Sequence, residues 1–242
     1  MITMNDINEN NIVSIKNLTK KYGVVEALKN IDLDIPRNAI VGLLGPNGSG
    51  KTTMIKVLVS LLNQYEGSVK IDGKELGQET KKLVAYLPDR DYLSNAWTFN
   101  DAIEYFKDFY DDFDVEKANR LIDELKIPRN VRFKALSKGT REKLQLILVL
   151  SRNAKLYIFD EPIAGVDPVA RDLVFKLITE NRAEDSTVII STHLIMDCEQ
   201  YLDYVVFIKE GQIVLRNDAN KLRESTGKSI NDVFKELFRY DR

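Results

Sequence analysis

The chain has 242 residues, 44% of them hydrophobic and 30% charged, and a formal net charge of −2. This is the composition of a globular protein with ample core, one large domain or a domain plus a subdomain, and its acid–base balance argues against a dedicated nucleic-acid binder. Cys198 is the only cysteine, which excludes an intrachain disulfide and fits a reducing cytoplasm.

Met1–Asn11 is polar and lacks the apolar core of a signal peptide. Asn11–Leu18 alternates like a strand with one buried face, and so does Ala27–Ile35, which ends at the turn Pro36-Arg37-Asn38. Such period-2 strands predict antiparallel pairing. Tyr22 stands between them, and two readings are open: a ring that stacks on an adenine, or a core tyrosine. Ala39–Leu44 is a continuous apolar run, predicted to be a strand buried on both faces.

Gly45-Pro46-Asn47-Gly48-Ser49-Gly50-Lys51-Thr52-Thr53 follows, a match to G-x-x-x-x-G-K-[ST]. The glycines let the backbone curl with its N–H groups inward, and these donors join the positive end of the next helix as an anion site. Lys51 has the reach for β- and γ-phosphates, and Thr52 can place its hydroxyl on Mg²⁺. The following helix is predicted over Met54–Leu62, with Ile55, Leu58, Leu61 and Leu62 on one face.

Glu66–Gly73 predicts a short strand closed by a turn, and Leu83–Leu87 another that breaks at Pro88-Asp89-Arg90-Asp91. From Trp97 to Ala135 the period becomes helical. Phe99, Ile103, Phe106 and Tyr110 form one stripe. Val115, Ala118, Leu121, Ile122 and Leu125 form a second after Asp114, a predicted N-cap. The segment reads as a helical insertion between strands. Leu136-Ser137-Lys138-Gly139-Thr140-Arg141-Glu142 then runs into the apolar helix Leu144–Leu150, too short for the ~18 apolar residues of a membrane span. Ser137 reads as an N-cap, or with Gly139 as a phosphate contact.

Lys155–Pro162 is a short apolar strand ending in two carboxylates, at the edge where α/β folds place ligands. Asp160 suits Mg²⁺. Glu161, expected on the opposite side of the strand, suits a general base that polarises water. Ala164–Pro168 is a turn in which Asp167 caps a helix and Pro168 takes its first position; Leu173, Val174, Leu177 and Ile178 are expected inward. Thr187–Ser191 is another buried strand, leading to His193, which is either structural or a γ-phosphate contact. Tyr204–Lys209 and Gln212–Asn217 flank the hairpin signal Glu210-Gly211. In Ser229–Arg239, Ile230, Val233, Phe234, Leu237 and Phe238 share a helical face, expected to dock on the body or on a partner. No internal repeat is visible, so one nucleotide-binding unit per chain is expected.

In this order the motifs resemble the ATP-binding cassette (ABC) ATPase family from Val13 to Asn217. Gly45–Thr53 is similar to its Walker A loop, Leu136–Thr140 to its signature, and Leu156–Glu161 to its Walker B strand with the catalytic glutamate. Ala164–Asp167 is similar to its D-loop and His193 to its switch histidine. Tyr22 falls where the family has an adenine-stacking aromatic. Two positions depart from the pattern. Lys138 replaces a signature glycine, as in the ABC-2-type exporter branch, and Asp89 stands where the family has its Q-loop glutamine, shorter by a methylene and charged.

The resemblance implies an α/β P-loop NTPase (RecA-like) core with an antiparallel β subdomain and an inserted α-helical subdomain. It implies a single nucleotide-binding domain over 1–242: core and β subdomain at 12–88 and 155–217, helical subdomain at 89–154, and C-terminal helices at 218–242. It further implies ATP held by Tyr22, Gly45–Thr53, Ser137 and Gly139; Mg²⁺ held by Thr52, Asp160 and Asp89; and hydrolysis carried by Lys51, Glu161 and His193. The expected partners are a second ABC ATPase subunit and an integral membrane permease that holds the chain at the inner face of the membrane. Tyr92 and Trp97 are candidate contacts to that permease. No nucleic acid is expected, and the expected work is export of peptides, antimicrobial compounds or similar amphipathic cargo. The alternative is a soluble ABC-type ATPase outside transport.

Overall fold

The computed structural model describes residues 10–239, so the polar start read from Met1 lies outside the described residues except for Asn10 and Asn11. Strand β3 (Ile40–Leu44) is buried at every position, and so is β7 (Leu156–Asp160). Both sit in a six-stranded sheet with β6 (Val84–Leu87), β8 (Thr187–Thr192), β9 (Tyr204–Lys209) and β10 (Gln212–Asp218), in the order β10-β9-β3-β8-β7-β6. All pairs are parallel except the β9–β10 hairpin. Continuous apolar runs follow from this topology, because a parallel sheet is covered on both faces.

Alternate residues of β3 serve two cores. Val41 and Leu43 face a core shared with β1 (Asn11–Tyr22), β2 (Val25–Pro36), β4 (Glu66–Ile71) and α1 (Lys51–Leu58). Ile40 and Leu44 face a larger core that includes α3 (Phe99–Phe109), α4 (Val115–Glu124), α5 (Lys138–Leu150) and α6 (Pro168–Asn181). The second sheet is antiparallel, in the order β2-β1-β4-β5, with β5 at Lys74–Glu75. An α/β core with an antiparallel sheet and a helical insertion is therefore present.

The caps fall where the sequence puts them. Asp114 accepts from the Lys117 N–H, Ser137 from Thr140 and Asp167 from Val169. The α6 residues Val174, Leu177 and Ile178 are buried as expected, Leu173 only partly, and Phe175 joins them fully buried.

Four readings change. Helix α1 ends at Leu58, not Leu62, because Ser60 turns left-handed (φ 56) and leaves Leu61 exposed. Strands β1 and β2 run longer than their alternation, across register shifts near Asn17 and Asn30, both at positive φ. Two short polar helices, α2 (Gln78–Leu83) and α8 (Ala219–Thr226), carry too few apolar residues to show a period. The tail forms α9 (Ile230–Leu237), with Ile230 and Val233 buried, while Leu237 is exposed. The short α7 (Ile195–Cys198) completes the set.

Candidate active site

The loop after β3 is held by its glycines. A Cβ on Gly45 would stand 2.3 Å from the Ile208 carbonyl oxygen, so the β9–β10 hairpin closes against the loop only because residue 45 has no side chain. Gly50 caps α1 at φ 112, where a Cβ would also meet the Ala27 carbonyl at 2.8 Å. The Gly211 N–H donates to the Ser49 carbonyl at 2.9 Å and fastens the hairpin turn to the loop. Asn47 and Gly48 curl outward beside a cavity of about 430 Å³, which they line with Pro46, Ser49 and His193.

Lys51 and Thr52 open α1 and meet the two acids at the end of β7. Lys51 is buried, and its ammonium donates to the Gly45 and Pro46 carbonyls at 2.8 and 3.2 Å and lies 3.5 Å from Glu161 Oε1. Burial lowers its pKa, opposed by the charges of Glu161 and Asp160. Thr52 Oγ1 donates to Asp160 Oδ1 at 3.4 Å, and the Ser191 hydroxyl donates to the same oxygen. Asp160 Oδ2 is buried without a partner. Burial raises the Asp160 pKa, countered by the Ser191 and Thr52 hydrogen bonds and reinforced by the negative charges of Asp89 and Glu161.

The expectation that Glu161 points away from Asp160 is overturned. The strand ends at Asp160, and Glu161 takes a left-handed conformation (φ 51) that turns it toward α1. Its N–H is held by the carbonyl (3.0 Å) and the hydroxyl (3.1 Å) of Ser191. Its carboxylate spans Lys51 and His193, with Oε2 3.0 Å from His193 Nδ1. Ser191 thus positions both acids, and sequence reasoning missed it. The only signal was a polar residue closing an apolar strand, and its meaning depends on the Asp160↔Ser191 register.

Other predicted residues lie elsewhere. Tyr22 is not a core tyrosine: it ends β1 with 48% of its surface exposed, beside the Lys20 ammonium. Asp89 is exposed on the loop after β6, within electrostatic reach of Asp160 but with no hydrogen bond to it or to Thr52. Ser137 Oγ is taken by its cap bond and by the Thr140 hydroxyl at 2.7 Å. Gly139 faces a different cavity, about 580 Å³, with Asp89, Glu161, Gly165 and Asp167. Within one chain neither Ser137 nor Gly139 lines the cavity beside the loop. Trp97 packs against Tyr105 with tilted rings whose centres lie 4.8 Å apart, whereas Tyr92 lines a groove with Leu61, Tyr86, Asp89 and Phe109.

The donor set suits a divalent cation. Among the described residues no cluster of three or more His, Cys, Asp or Glu could hold a metal alone. A cation here would draw on the Thr52 hydroxyl, the unpartnered Asp160 oxygen and phosphate oxygens, which is the pattern Mg²⁺ accepts. Among the same residues no helix is long and apolar enough to cross a membrane.

Comparisons with known proteins identify the family and the fold. The ABC transporter family model matches residues 28–164. The lipopolysaccharide export system ATP-binding protein LptB of Haemophilus influenzae is 31% identical, over 84% of this chain and 89% of its own. The lantibiotic transport ATP-binding protein SrtF of Streptococcus pyogenes is 27% identical over 86% of this chain and 91% of its own. A solved ATP-binding subunit of an ABC transporter superposes with a TM-score of 0.83 at 25% identity, covering 94% of this chain and all of that one. The phosphate loop, the acids ending β7 and the covered parallel sheet thus have one common origin: the chain belongs to the ABC transporter family, as an ATP-binding subunit that hydrolyses ATP with Mg²⁺.

Proposed function

We propose that this chain is one half of an ATP-driven motor for a membrane exporter. Each ATP is held between the loop of one subunit and Ser137 and Gly139 of a second, either another copy or a similar ATPase. The observation that carries this reading is the separation within one chain: the loop, Lys51, Asp160, Glu161 and His193 converge, while neither Ser137 nor Gly139 lines the cavity beside the loop.

In the assembled site the Gly48–Thr53 backbone and Lys51 bind phosphates, and Tyr22, exposed at the end of β1, stacks on the adenine. Lys51 exchanges the Gly45 and Pro46 carbonyls for phosphate oxygens, which adds anionic charge to that of Glu161 beside the buried ammonium. Thr52 and Asp160 hold Mg²⁺, with Asp89 as a further, outer oxygen donor; bound there, the ion neutralises charge on the β- and γ-phosphates. Glu161 takes a proton from the attacking water, and His193 orients Glu161 from one side and meets the γ-phosphate with its exposed edge. Asp167 lies on the cavity next to Glu161 and links the paired sites.

The chain acts as a single nucleotide-binding domain. The groove of about 790 Å³ between α1, the Asp89 loop and α3 receives a helical element of a permease. Attachment there places the chain at the cytoplasmic face of the membrane. Export is favoured because LptB serves an export system and Lys138 resembles the signature of the ABC-2-type exporter branch. SrtF serves lantibiotic transport, which favours peptide-like or other amphipathic cargo. Exchange of Glu161 for Gln tests the chemistry. The variant binds ATP, loses turnover by about 10²–10⁴-fold and accumulates as a dimer. Unchanged turnover would remove Glu161 from its role.

A further inference from the structure

Lys138 is the first residue of α5, between Ser137 and Gly139. Its side chain crosses from α5 toward the Ala164–Asp167 turn. Nζ lies 2.7 Å from where a side chain on Gly165 would begin, so Gly165 leaves room for the ammonium. The ion pair to Glu142 Oε1 is long, 3.6 Å, and the lysine side chain is 67% exposed. The cavity it enters is the one lined by Gly139, Glu161 and Asp167. In front of Gly139 the space is open, with nothing within 4 Å of a would-be Cβ.

Local stability accounts only in part for a lysine here. A cation in the first turn faces the positive end of its helix, and α5 has no acid in that turn to offset it. A single i,i+4 pair that is long and exposed on the lysine side returns little. Burial raises the pKa of the Glu142 carboxyl and Lys138 opposes it, so the lysine offsets part of that carboxyl's desolvation. A rule broken locally and only partly compensated marks a position set by function.

We propose that Lys138 contacts nucleotide in trans: when two subunits close, its ammonium leaves Glu142 and sits on the phosphates of the ATP held by the other subunit, beside Ser137 and Gly139. The proposal rests on the shared-site reading above and adds a charge where the family pattern has glycine. An ammonium recognises polyphosphate as a point charge, so arginine can replace it and methionine cannot.

The test uses the full chain in the Glu161→Gln background. ATP is titrated while mass is followed by light scattering, and ATP binding to the monomer is measured separately at low protein concentration. Lys138→Met should raise the ATP concentration for half-maximal dimer about tenfold and leave monomer binding unchanged. Lys138→Arg should restore the midpoint, and Glu142→Gln should leave it unchanged or lower it by freeing the lysine. An unchanged midpoint in Lys138→Met overturns the proposal. So does a Glu142→Gln variant that matches Lys138→Met, because Lys138 would then be a strut between α5 and the turn. Absence of any ATP-dependent dimer with Lys138 intact would instead overturn the shared site itself, and the proposal with it.

Discussion

Glu161 reaches Lys51 and His193 only because its backbone leaves the strand at φ 51. A left-handed non-glycine residue costs on the order of 1–3 kcal/mol and persists where its surroundings fix it; here the carbonyl and hydroxyl of Ser191 hold its N–H. Removing the hydroxyl loosens both acids at once. Ser191→Ala should lower kcat by roughly tenfold, with a smaller change in ATP affinity, in steady-state kinetics. Asp160 carries a different cost. Its pKa is raised by burial in the folded chain, so stability from this carboxyl is present below the unfolded pKa and lost as pH rises through the folded one. Asp160→Asn should therefore raise the melting temperature of the nucleotide-free protein near neutral pH by about 2–4 °C, a gain of about 1 kcal/mol, while abolishing hydrolysis. Calorimetry should show the gain shrinking as pH falls through the raised folded pKa of Asp160 toward its unfolded one. At this scale the sequence was legible for the meeting of Lys51, Thr52 and Asp160, while it put Glu161 on the wrong side because a turn out of the strand leaves no mark on spacing. It was silent on Ser191, whose role exists only across two strands, and it left Tyr22 between core and surface because exposure is not a local property.

Among the elements, β3, β7 and β8 could be read directly, since doubly buried parallel strands leave unbroken apolar runs. The caps Asp114, Ser137 and Asp167 were legible for a similar reason, because a cap bonds within its own first turn. The end of α1 was not, since Leu61 and Leu62 continue the apolar period past the point where Ser60 breaks the helix. The join between α5 and the β6 edge was also hidden. Arg152, buried just past α5, makes a two-bond pair with Asp112 at 2.9 and 3.0 Å and donates to the carbonyls of Val84 and Lys82. Its guanidinium lies 4.0 Å from the centre of the Tyr110 ring. Asp112→Ala would strand that buried cation. It should cost about 3–5 kcal/mol in urea unfolding, the range for breaking one side of a buried pair. A loss under about 1 kcal/mol would mean that the carbonyls alone hold Arg152.

On the scale of the whole molecule, two surfaces separate what the chain does alone from what it does with partners. The first is the groove beside Asp89, where Leu61 and Phe109 are exposed, Phe109 by 67%. Single apolar residues on a surface are ordinary, but several lining one groove mark a docking site. Phe109→Glu should leave the basal ATPase of the purified chain within about twofold and move the protein from the membrane fraction to the soluble fraction in cells. A variant that stays with the membrane would place the permease contact elsewhere. The second surface is the loop with Glu161 and His193, to which the proposed shared site brings Ser137 and Gly139 from another subunit. That sharing is tested most directly by mixing two inactive variants, Lys51→Ala and Ser137→Arg. Their mixed dimers contain one intact site, made from the loop of the Ser137→Arg chain and the Ser137 of the Lys51→Ala chain. The mixture should regain ATPase activity that neither variant has alone. A mixture no more active than its separate components would contradict a site shared between two chains.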